Sequence, residues 1–169
     1  MVAVTQFEPL VILLAHDRWA TRQILDSCQG LTPEQFQRSF DIGPGSLHDA
    51  VTHILGAMQS WCDVLAGRER RPRLQGVTRN AAELGKLLER LADELATHAR
   101  ARPLDEMATW TREGKSYQLT RGGVLTHVTT HGGHHRAQCL YMLRQLGVDP
   151  LPPVSVLEWM LLVDGARLQ

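Results

Sequence analysis

Apolar residues recur every three or four positions in four long stretches of this chain, and turn-forming residues separate the stretches. In the first, Leu10, Leu14, Thr21, Ile24, Leu25 and Cys28 share one side. That pattern predicts a helix over Pro9–Cys28, with a proline in its opening turn and Gly30 just past its end. Asp17 falls on the same apolar side, an unusual place for a charge. A linker follows and closes on Asp41-Ile42-Gly43-Pro44-Gly45, which is breaker chemistry. Ser46 then reads as an N-cap, with Asp49 three residues on, and the stripe Val51, Ile54, Leu55, Met58, Cys62 and Leu65 carries a second helix to Ala66. Gly67 ends it, and the basic, Pro72-containing stretch 67–77 reads as a loop. A third helix over Asn80–Arg100 places Leu84, Leu87, Leu88, Leu91 and Leu95 at helical spacing, and Pro103 follows it.

Met107–Thr111 and Ser116–Thr120 flank Arg112-Glu113-Gly114-Lys115, the pattern of a small hairpin. Thr120 can cap a fourth long helix over Arg121–Leu146, stopped by Gly147. After Pro150, Pro152 and Pro153 a short last helix begins near Ser155 and includes Trp159. The expected fold is all-α: four long helices in a bundle, a short fifth, and a β-hairpin before the fourth. At 169 residues the chain suits a single domain, 1–169.

Composition narrows the function. Eighteen basic residues balance eighteen acidic ones, which leaves no excess for nucleic acid. No apolar run reaches the 18 or so residues of a membrane span. Leu10–Ala15 is apolar but lacks the basic flank and cleavage site of a signal peptide, so a cytoplasmic location is expected. Cys28, Cys62 and Cys139 form no CxxC pair and read as reduced core thiols.

The informative feature is histidine: four of the eight lie between His127 and His135. On a helix, positions four apart lie about 40° apart around the axis and one turn above each other. His131 and His135 can therefore aim two imidazoles at one point. They share a face with Val128, Cys139, Met142 and Leu146, which turns both rings toward the expected core. Buried imidazoles need polar partners or a cation. His127 and His134 fall on the flanks, as outer or surface groups. Cys139, one turn beyond His135, reads as a packed thiol rather than a fourth ligand. A third ligand on the second helix is either His48 or His53, and by periodicity His48 lies nearer the apolar stripe. No glutamate sits three residues before a histidine, which excludes a di-iron carboxylate site. HExxH, Gly-x-Ser-x-Gly, phosphate-loop and dinucleotide patterns do not occur.

Several blocks together resemble the DinB/YfiT-like family of metal-binding four-helix bundles. They are His16-Asp17-Arg18-Trp19-Ala20-Thr21, Gly45-Ser46-Leu47, Thr52-His53-Ile54-Leu55 with Trp61, His131-Gly-Gly-His-His135-Arg-Ala-Gln138, and Leu143-Arg-Gln-Leu-Gly147 before the prolines. The resemblance implies a ligand triad of His53, His131 and His135, and so assigns the second-helix ligand to His53. It implies one divalent transition metal per chain, zinc or nickel foremost. It also implies a thiol-dependent S-transferase or related isomerase chemistry, with a low-molecular-weight thiol and a small electrophile as substrates. The alternative is a non-catalytic, stress-associated bundle with a structural ion. Around the triad, Asp17, Thr21, His48, His127, Arg136 and Gln138 are expected to brace the ligands or line the pocket. Asp17 either accepts a hydrogen bond from a ligand ring or pairs with a basic residue. Three positions depart from the family pattern. Ala137 replaces a common glycine, and Asp17 and Thr21 stand where asparagines are frequent. Family members often pair, so a homodimer is expected, with Trp159 and Leu161 as exposed apolar positions.

Overall fold

In the computed structural model, which describes residues 8–165, the elements run α1 (Pro9–Cys28), α2 (Pro33–Phe36), α3 (Leu47–Ala66), α4 (Ala81–Ala101), β1 (Met107–Arg112), β2 (Lys115–Thr120), α5 (Arg121–Gln145) and α6 (Val156–Leu162). The local chemistry accounts for the boundaries. Ser46 and Thr120 each accept a hydrogen bond from the backbone N–H three residues on. Asn80 with Glu83, and Ser155 with Glu158, form reciprocal capping boxes. Gly67 ends α3 in the left-handed conformation, φ 64°. Glu113 and Gly114 both have positive φ, the two-residue turn that matches strand twist in a hairpin.

One element escapes the sequence pattern. Within the linker, Thr32 and Gln35 cap a single helical turn, α2, which buries Phe36. Four residues carry no periodicity to read. Trp159 also differs from expectation: it is buried, because α6 packs back on α1, whereas Leu157, Leu161 and Leu162 of the same helix face outward.

Helix α1 packs against α4 and α5, and α3 packs against the same two. The cyclic order around the bundle is thus α1, α4, α3, α5. Ile24, Leu25, Leu47, Leu55, Met58, Leu84, Leu88, Leu125, Met142 and Leu143 fill its centre with at most 1% exposure. Burial of such side chains is worth about 1.5–3 kcal/mol each. The hairpin touches α3 through β1 and α5 through β2, at one end of the α3–α5 seam. Among the described residues, no helix is long and apolar enough to cross a membrane.

Candidate metal centre

The α3–α5 seam brings three imidazoles together. His53 comes from α3, and His131 and His135 come from successive turns of α5. The Nε2 of His131 lies 3.1 Å from that of His53 and 3.2 Å from that of His135. One ligand atom from each ring falls within 4.8 Å of the others. The rings tilt against one another with centroids 4.5–4.9 Å apart.

Ring nitrogens this close share a proton or a cation. Two neutral acceptor nitrogens repel, and a shared proton can join only one pair. A divalent ion with Zn–N bonds of about 2.0–2.1 Å in a tetrahedral site sets its ligand nitrogens about 3.3 Å apart. The observed 3.1 and 3.2 Å match that spacing. No carboxylate forms an ion pair with any of the three rings among the described residues. Burial lowers the pKa of all three, and for His131 the neighbouring imidazoles add to it, bringing it down to about 4. Neutral rings with free lone pairs are the form that binds metal. The donor set therefore fits a divalent transition metal.

The surroundings are specific. His135 Nδ1 donates to Gln138 Oε1 at 2.8 Å, which leaves Nε2 as the lone-pair nitrogen. The Gln138 amide also meets His134 Nε2 at 3.1 Å. Gly43, at φ 53°, is packed so closely over the Gln138 carboxamide that an added Cβ would overlap it. The loop before α3 thereby holds Gln138 in place. His135 is 9% exposed, but His131 is more open and sits on the rim rather than facing the core squarely. His131 is partly buried at the margin of the buried face of α5.

The other candidates lie elsewhere. His48 Nδ1 bonds Asp49 at 2.9 Å, its ring packs edge-on against Phe36, and its Nε2 accepts from the Arg79 backbone. It ties α2 and the pre-α4 loop to α3 and is not part of the cluster. Asp17 does not touch a ligand ring. It pairs with Arg136 at 2.5 Å, both side chains almost fully buried, and Arg136 also donates to Thr21 Oγ1 at 3.1 Å. Burial pushes the Asp17 carboxyl up, and the Arg136 guanidinium pulls it back. This group explains Gly132: a Cβ there would come within 2.5 Å of Asp17 Oδ1. His127 is exposed, its ring 5.5 Å from His131 and 5.2 Å from Trp61. Cys139 is fully buried and its thiol is pushed up to about 12, so it stays protonated.

Sequence reasoning missed two features outside the cluster. His16 is buried and bonds the Val154 carbonyl at 2.8 Å, which anchors the segment before α6. Trp110 and Tyr117, a cross-strand pair on the hairpin, reach back to Trp61. Their mirrored positions about Glu113-Gly114 were the available signal.

Comparison with known proteins agrees with the architecture. A crystal structure of a DinB-like protein from Bacillus cereus ATCC 10987 superposes with a TM-score of 0.65 at 19% identity, over 83% of this chain and 92% of that one. At that identity the likeness speaks for the fold alone. No curated protein matches the sequence. The sequence profile of the DinB family matches residues 4–158, nearly the whole length, and the chain belongs to that family.

Proposed function

We propose that this protein is a metal-dependent enzyme that joins a small thiol to a small electrophile. The observation that carries the reading is the convergence of three neutral imidazoles with no acid partner among the described residues. Three protein ligands leave a position for water or substrate, as in reactive metal sites. Zinc or nickel suits an all-imidazole set. The bound ion supplies a Lewis-acid position at which a thiol ionises near neutral pH. Within the chain, His53, His131 and His135 hold that position and Gln138 sets the ring of His135. The exposed imidazole of His127 lies beside the site, its ring centroid 5.5 Å from that of His131, and the thiol proton leaves to solvent there. The thiol itself is inferred from the family, whose members include thiol-dependent transferases.

A second reading has the ion as a clamp, and the spanning of α3 and α5 by the cluster favours it. The two readings separate on access to the ion. Elemental analysis of protein purified without an affinity tag should show one divalent ion per chain, lost in His131→Ala and in His135→Ala but kept in His48→Ala. A screen of thiol–electrophile pairs with the loaded protein should then show turnover. One ion per chain in a His131→Ala/His135→Ala double variant would overturn the site. A loaded protein that neither binds a thiol nor turns one over would leave the clamp.

A further inference from the structure

A row of aromatic rings leads away from the histidines. His127 stands one turn before His131 on α5, with ring centroids 5.5 Å apart. Trp61 of α3 lies 5.2 Å beyond His127, Trp110 of β1 lies 5.5 Å beyond Trp61, and Tyr117 of β2 a further 5.5 Å on. Half of the four tryptophans and one of the two tyrosines of the chain are spent here. Packing explains part of this, because Trp61 against Trp110 seats the hairpin on α3. It does not explain Tyr117, 43% exposed, or His127, whose rings leave apolar faces in water.

We propose that this row is the binding platform for the substrate of the metal site, and that the substrate carries a flat aromatic ring. The inference rests on the metal reading above. Three observations select this occupant. The row starts at His131, so whatever is bound at the cluster lies beside it. The members of the row are aromatic rings, and neither a lysine nor an arginine stands among them to recognise an anionic tail. Their spacing of 5.2–5.5 Å and interplanar angles of 32–71° are those at which aromatic rings interlock, and one more ring continues the same pattern. A saturated group of equal size gains the area but not the ring–ring attraction.

The test uses cobalt(II)-loaded protein, whose near-ultraviolet thiolate-to-metal absorption reports thiol binding without turnover. The chain is titrated with 3-phenylpropane-1-thiol and with 3-cyclohexylpropane-1-thiol, which reach equally far and differ in the ring. The phenyl thiol should bind about fivefold more tightly, within the range of one aromatic pair. Trp61→Leu, which keeps an apolar side chain for hairpin packing and removes the ring next to His127, and Trp61→Leu/Trp110→Leu, which removes the following ring as well, should each bring the two affinities together. Binding of 2-mercaptoethanol should stay unchanged in both variants. Equal affinities in the wild-type protein, or a preference that survives both substitutions, would overturn the platform alone. Absence of the absorption with every thiol, 2-mercaptoethanol included, would overturn thiol binding at the metal, and the platform with it.

Discussion

Helix α5 carries a polar cluster on each of two sides, and the two are completed in different ways. Toward α1, Arg136 meets Asp17 and Thr21 in a group where the cation has its carboxylate and the hydroxyl has its acceptor. Toward α3, His131 and His135 meet His53, and all three bring only lone pairs or like charge. The first cluster is finished by the chain itself. The second is a set of donors that a divalent ion from outside can complete. A buried polar group that is internally satisfied holds a fold together, whereas one that is short of a partner of defined charge is where a ligand belongs.

The sharpest way to break the comparison is to leave the first cluster unfinished as well. Asp17→Ala strands the Arg136 guanidinium in the core and should cost about 3–5 kcal/mol in urea unfolding. Asp17→Leu with Arg136→Met should recover most of that loss, whereas His131→Ala should barely move the stability of the metal-free protein. Next, Gln138→Ala removes the acceptor that orients His135. Zinc affinity should fall about 10–100-fold by competition with a chelator, with the fold intact by circular dichroism. Gly132→Ala probes the α1–α5 side more gently. The crowding against Asp17 costs about 1–3 kcal/mol, against about 1 kcal/mol gained in helix propensity. A net loss of about 1 kcal/mol is expected, and a gain would show that the two helices part easily.

The smallest effect separates the clusters by pH. His131 has its pKa lowered from 6.5 to about 4 by burial and by its neighbouring imidazoles. Between those values the unfolded chain binds the proton and the folded chain does not, so stability is complete above about pH 6.5 and declines as pH falls toward 4. Melting temperatures of the metal-free protein should drop over that window, and His131→Ala should flatten the slope. Asp17→Leu/Arg136→Met should keep or steepen it, because Asp17, held above its ordinary value by burial, opposes the drop in acid.

Much of this protein is local and therefore legible along the chain. Caps at Ser46, Asn80, Thr120 and Ser155, stops at Gly67 and Gly147, and the leucine stripe of α4 depend on neighbours within one or two turns. The close approach of His131 to His135 follows from helical pitch in the same way. Other features were settled only when the helices packed. Periodicity placed His48 ahead of His53. The position of α3 between α4 and α5 sends His48 to Phe36 and Arg79 and His53 to the cluster. Asp17 pairs with Arg136, 119 residues away. Trp61 meets Trp110 because the hairpin folds onto α3. The physical reason is one of range. Backbone hydrogen bonds and capping act over a few residues, but a side chain's partner across the bundle depends on the rotation and register of two helices, which whole-core packing sets.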